Sequence, residues 1–177
     1  MNEKRDLRGM TEAESIAYYK SLSFPKPALT ADIVVLAKQE DHYEVLLIQR
    51  KNHPFIGQFA LPGGFADENE PVEQTAAREL EEETSVHGLP MKLVGIFSKP
   101  GRDPRGWIVS VAYVSVVNAE KLQVCAGDDA ATADWYPLEW KENHLLLRLN
   151  GQWQDSSVLA FDHADILKQA FSMIDSL

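Results

Sequence analysis

Apolar positions along the chain change period several times, and each change marks an expected element. Ala31 to Ala37 (ADIVVLA) and Tyr43 to Gln49 (YEVLLIQ) are aliphatic, β-branched runs separated by the polar stretch KQEDH. That pattern predicts two buried strands joined as an antiparallel hairpin. Gln58 to Leu61 predicts a third short strand, broken by Pro62-Gly63-Gly64, where glycine lets backbone approach a ligand closely. Lys92 to Ser98 and Trp107 to Val117 predict two more strands, the second alternating as a strand half exposed to a site or partner would. Ala133 to Leu138 predicts a short aromatic strand, and Leu145 to Leu149 with the Gly151–Trp153 region a final strand or hairpin.

Helical spacing accounts for the rest. Thr11 and Glu14 form a capping box that opens a short helix running to about Leu22, with Ile16, Tyr19 and Leu22 on its apolar face. Phe24-Pro25-Lys26-Pro27 follows as an extended linker, because each proline biases its predecessor away from helix. Ala164, Ile166, Leu167, Ala170, Phe171 and Ile174 recur at helical spacing and predict a closing helix from Asp162, with His163 in its first turn as a cap or packing residue. The central helix is expected from Pro71 to Thr84, since a proline is tolerated in a first turn. At about 100° per residue, Val72, Ala76 and Leu80 share one stripe, and Glu79, Glu82 and Glu83 fall in a sector beside it. Glu81 points the opposite way.

Composition sets the bounds. A chain of 177 residues that is 45% hydrophobic has enough material for one domain with a real core. The expected organisation is an N-terminal extension at 1–28 with its short helix, then one domain at 29–177. Strands interleaved with one central and one terminal helix predict an α+β fold, a mixed β-sheet sandwiched between helices in αβα layers. The formal net charge of −10 and pI near 4.9 argue against a broad surface for nucleic acid or anionic membrane. Cys125 is the only cysteine, the N-terminus lacks the apolar core of a signal peptide, and no window approaches a membrane span. The expected location is the cytoplasm.

The glutamates change the picture from fold to chemistry. Carboxylates at i, i+3 and i+4 repel one another, and gathering them beside an apolar stripe adds a desolvation cost; a divalent cation removes both penalties. A solvated acidic face is the plainer reading of such a helix. The spacing is more specific than that: Gly64, five residues, Glu70, seven residues, then Arg78-Glu79-Leu80-Glu81-Glu82-Glu83-Thr84-Ser85-Val86. This resembles the Nudix box at every specified position but one. The departure is Ser85, where the pattern has glycine; if that position needs φ > 0, serine costs about 1 kcal/mol, and Gly88 is the alternative place for the turn.

The resemblance implies the Nudix fold over roughly residues 30 to 175, with Glu79, Glu82 and Glu83 as magnesium ligands and Arg78 among the catalytic residues, paired with Glu70 to hold loop and helix in register. Magnesium takes oxygen ligands, keeps several waters and is shared with substrate phosphates; manganese is the expected substitute. Gly63 and Gly64 are then expected against the substrate. Arg50, at a strand end, resembles a cation that many Nudix proteins place near substrate phosphates, although an ordinary strand-end charge is the other reading.

Pro100 to Gly106 reads as a turn from its prolines and glycines alone. Arg102 and Arg105 within it offer planar donors suited to phosphate or ribose oxygens, and with Asp103 they make the segment similar to the SxPxRDPRG stretch of ADP-ribose pyrophosphatase-type Nudix proteins and of Nudix-related ADP-ribose-sensing regulators. Gly127-Asp128-Asp129-Ala130 resembles the same subgroup, with Asp128 or Asp129 able to assist a metal or position water. What this implies is magnesium-dependent hydrolysis of the pyrophosphate linkage of a nucleoside diphosphate derivative, with ADP-ribose cleaved to AMP and ribose 5-phosphate. The alternatives are an ADP-ribose-sensing binding protein and a Nudix hydrolase of a nucleotide sugar or other nucleotide. Regulators of the sensing kind generally carry a C-terminal DNA-binding domain, whereas this chain stops at Leu177 shortly after its last helix, so the expected partners are a small nucleotide and no nucleic acid or membrane. The N-terminal extension, with Ile16, Tyr18 and Tyr19, points to a homodimer.

Overall fold

The computed structural model describes residues 4–118, 122–127, 130–142 and 144–174. Its strands are β1 (Ala28–Lys38), β2 (Tyr43–Arg50), β3 (Phe59–Ala60), β4 (Gly63–Phe65), β5 (Lys92–Phe97), β6 (Ile108–Val117), β7 (Ala130–Lys141), β8 (His144–Leu149) and β9 (Gln152–Asp155). Its helices are α1 (Glu12–Ser21), α2 (Val72–Thr84) and α3 (His163–Ser172). The strands form one mixed sheet in the order β5-β6-β1-β2-β7-β8-β9, with β3 on β2 and β4 on β1. β1 pairs parallel with β6 and antiparallel with β2.

β1 explains the layering. It is buried continuously from Thr30 to Ala37, and because successive side chains of a strand point to opposite faces, it must be covered on both. Ile33 and Val35 pack with Leu46, Ala76 and Leu80 beneath α2. Val34 and Leu36 pack with Val45, Leu47, Ile166, Leu167 and Ala170 beneath α3. The result is the expected αβα layering, with the sheet between α2 and α3.

The structure departs from the sequence reading in two places that matter for the site. Gly63–Phe65, expected to break a strand, is itself a short strand against β1, with Asp32 opposite Gly63 and Thr30 opposite Phe65. Only glycine fits at the first of these, because a Cβ there would lie 2.2 Å from the Ala31 carbonyl oxygen. Ser85, not Gly88, ends α2: it takes the left-handed conformation at φ 61°, ψ 12° and its N–H donates to the Glu81 carbonyl. The carbonyls of Glu83 and Thr84 accept from Gly127 and Cys125, so the 122–127 segment completes the helix end. α1 has its capping box but buries no residue, and Ile16 and Tyr19 are exposed.

Candidate functional site

Two short pieces of backbone build the centre of the site, the β4 strand and the last two turns of α2. The Gly63 N–H donates to Glu83 Oε2 at 2.9 Å, tying one to the other. Gly64 lies against Glu79: a Cβ there would come within 2.4 Å of its carboxylate. The missing side chain makes the room that Glu79 occupies.

Arg78 binds the acidic groups together. Its Nε and Nη2 donate to the two oxygens of Glu70, each at 3.0 Å, while Nη2 also reaches the Phe65 carbonyl. Nη1 donates to Glu79 at 2.7 Å and Glu82 at 3.2 Å. Glu70 also accepts from Thr75 Oγ1 and the Asp67 N–H; Arg78 and then Thr75 hold its carboxyl down at about 2. Burial pushes Glu79 above its ordinary value, Arg78 opposes that, and Glu82 adds to it. Glu83 is buried, Glu82 is largely open to solvent, and Glu81 is exposed.

A cleft of about 380 Å³ opens here. Gly63, Gly64, Glu79 and Glu83 line it, together with Arg50, Lys51 and Arg105. A small cavity of about 50 Å³ lies behind, sharing Arg50, Gly63, Gly64 and Arg105 and adding Asp32, Arg102, Asp103, Phe161 and His163. Arg50 donates Nε to the Pro54 carbonyl at 2.9 Å and, among the described residues, has no carboxylate in ion-pair reach. Burial and then the neighbouring Arg105 lower its hold on its proton.

The 100–106 loop divides its two arginines. Arg105 grips buried Asp103 through Nε and Nη2, at 3.0 and 2.6 Å, and keeps 38% of its side chain exposed on the cleft. Burial pushes Asp103 up, and Arg105 more than offsets this, leaving the carboxyl below its usual range. Arg102, expected against substrate, is instead enclosed, with 4% of its side chain exposed. Its Nε and Nη2 clamp Asp162 at 2.8 and 2.6 Å, and Nη2 lies 3.4 Å from Asp32. The physical reason is that a guanidinium this deep needs carboxylate partners, and Asp32 and Asp162 supply them.

His163 completes that buried group. Its Nδ1 accepts the Leu61 N–H at 2.9 Å, and its Nε2 faces Asp32 Oδ1 at 3.4 Å. Accepting at Nδ1 leaves the proton on Nε2 of a neutral ring, and burial, opposed by Asp32, lowers the pKa in keeping with this. The ring is thus a buried packing residue, one of the two readings its place in the first turn allowed, and it braces the segment that leads into Gly63. Asp32, Ser110, whose Oγ donates to Asp32 Oδ2, and Phe161 had no role in the sequence reading, and Asp162 entered it only as the start of the closing helix. Asp32 did carry a signal: it is a lone acid inside an aliphatic run, and a buried carboxylate must be paired. Asp128 and Asp129 lie outside the described residues.

The donor set suits a hard divalent cation, being three carboxylates on one face of a rigid helix beside a glycine strand. In the conformation described, Arg78 holds Glu79 and Glu82, and no three acidic, histidine or cysteine side chains among the described residues already converge on one point. No helix of the described residues is long and apolar enough to cross a membrane.

Comparison with known proteins agrees with this geometry. The NUDIX domain model matches residues 26–159. The ADP-ribose pyrophosphatase of Methanocaldococcus jannaschii is 39% identical over 142 residues, 80% of this chain and 72% of that protein. The ADPR responsive transcriptional repressor NtrR of Acinetobacter baylyi is 32% identical over 168 residues, 94% of this chain and 62% of that protein. Among solved structures, the NUDIX domain of Shewanella oneidensis NrtR complexed with ADP ribose superposes with a TM-score of 0.75 at 34% identity, covering 93% of this chain and 99% of that one.

Proposed function

Because the chain belongs to the NUDIX family, we propose that it is a pyrophosphohydrolase that cleaves ADP-ribose to AMP and ribose 5-phosphate with magnesium. One observation carries the reading: a single cleft is lined both by carboxylates, Glu79 and Glu83, and by guanidiniums, Arg50 and Arg105. That combination suits a substrate whose anionic diphosphate bridges a cation and arginines. Glu79, Glu82 and Glu83 would hold the cation, which when bound neutralises phosphate oxygens and makes a bound water more acidic.

The chain's own groups do the rest. Arg50 and the outer edge of Arg105 grip and orient the diphosphate. Gly63 and Gly64 let the substrate lie against backbone. A carboxylate of the helix accepts the proton of the attacking water; the new P–O bond forms as the bridging P–O bond breaks and its electrons leave with the departing phosphate. The same reading takes the protein as a cytoplasmic homodimer that engages a small nucleotide and no nucleic acid.

A second reading, ADP-ribose binding without hydrolysis, is favoured by the closed network in which Arg78 already neutralises Glu79 and Glu82 and by the 32% identity to a repressor described as ADPR responsive. The test is a panel of ADP-ribose, nucleotide sugars, dinucleotides and nucleoside triphosphates with magnesium, products identified by chromatography. AMP and ribose 5-phosphate from ADP-ribose, abolished by chelator, support hydrolysis. Saturable binding without product supports the second reading.

A further inference from the structure

Phe161 sits just before α3 with φ of 56°, a left-handed conformation in a bulky residue without glycine's freedom. Strain of this kind persists only where the surroundings over-determine it, and it gathers at functional sites. Here every neighbour is fixed: the Ala160 N–H donates to the Phe59 carbonyl, Asp162 is clamped by Arg102, and His163 is bonded to the Leu61 N–H. Phe55, also left-handed at φ 64°, meets the Phe161 ring edge-on at 4.8 Å.

What the strain sets in the small cavity behind the cleft is an aromatic ring with two guanidiniums against it. The Arg50 carbon Cζ lies 4.9 Å from the Phe161 centroid and that of Arg105 lies 5.2 Å from it. Arg105 also lies 4.7 Å from the Phe65 ring. Two like charges would separate in solution; a ring quadrupole attracts each of them and lets them stay together. Among the described residues, Arg50 has no carboxylate in ion-pair reach and the ion-pair partner of Arg105 is Asp103.

We propose that Phe161 is the positioning residue of a diphosphate clamp: its ring holds Arg50 and Arg105 side by side, aimed at the cleft, so that they grip adjacent phosphates together. The proposal deepens the hydrolase reading and takes its substrate from it. Phe161 touches no reacting atom. Its loss should therefore weaken ground and transition states alike, raising KM with kcat little changed.

The experiment is calorimetric titration of ADP-ribose and of inorganic pyrophosphate into the full chain without divalent cation. Steady-state ADP-ribose hydrolysis with magnesium is measured alongside, for wild type and for Phe161→Leu, Phe161→Met and Phe161→Tyr. Leu and Met keep bulk without a π-face and should weaken both ligands and raise KM by about 10-fold, with kcat within about threefold. Tyr restores the ring face and should recover most of the affinity. If Leu fails to fold by circular dichroism, Met decides. Wild-type affinity in the Leu or Met variant, equal damage by Tyr, or no binding of either ligand to wild type would overturn the clamp. Weakened binding in a protein that never turns over would leave the clamp and remove the hydrolase reading; turnover with unchanged binding would do the reverse.

Discussion

Glu82 and Glu83 adjoin in sequence but not in environment: one faces solvent under Arg78, the other is buried against the Gly63 N–H. If both hold the cation, Glu82→Gln and Glu83→Gln should each lower kcat by about 10²-fold, while exposed Glu81→Gln leaves turnover as it was. Equal damage at Glu81 in steady-state assays would break the assignment. The two loop arginines should part company in the same way. Arg102→Ala leaves buried Asp32 and half-buried Asp162 without their cation and should cost about 3–5 kcal/mol of stability in denaturant titration. Arg105→Ala should unfold nearly as wild type and raise KM for ADP-ribose roughly 10- to 100-fold, the loss of a charge-assisted bond. At Ser85 the strain can be relieved: Ser85→Gly removes a Cβ from a left-handed position and should stabilise by about 0.5–1 kcal/mol, raising Tm by roughly 1–4 °C.

α2 and the loop before it behave as one electrostatic unit, because Arg78 reaches back to Glu70 across eight residues. Glu70 titrates near 2 when folded, against 4.5 for an unperturbed glutamate. A depressed folded value means the contribution is complete above about 4.5 and is lost as pH falls toward about 2. Glu70→Gln should therefore lower stability at neutral pH and flatten its acid dependence across that window, as followed by urea unfolding at several pH values. The capping box of α1 and the phase of the glutamates were legible in the sequence because each rests on contacts a few residues apart, whereas this pair was expected from the resemblance to the Nudix box. The buried group was not. Arg102 meets Asp162 across 60 positions and His163 meets Leu61 across 102, so no local pattern announces them. β4 was missed for a related reason: its glycines have no strand propensity, and only the partner strand β1 makes them extended.

In the molecule as a whole, the apolar side chains of the N-terminal segment have no place in the described core. Ile16, Tyr18, Tyr19 and Phe24 lie exposed on and after α1, in a protein whose net charge of −10 otherwise keeps chains apart. Sedimentation at micromolar concentration should find a dimer, and Ile16→Ser with Tyr19→Ser should return it toward the 19.9 kDa monomer; an unaltered monomer in wild type would end that expectation. The parallel pairing of β1 with β6 carries a different consequence, for how the molecule comes into being. Thr30 and Val109 are neighbours in the sheet but 79 residues apart in the chain. The β1–β2 hairpin can close within microseconds, whereas the inner edge of β1 must wait for a distant partner, which places folding in the slow range of non-local topologies. On the ribosome, β1 and the glutamate helix both emerge before β6 exists. For that interval the most aliphatic strand of the protein presents an unpaired backbone edge, a template for association between nascent chains.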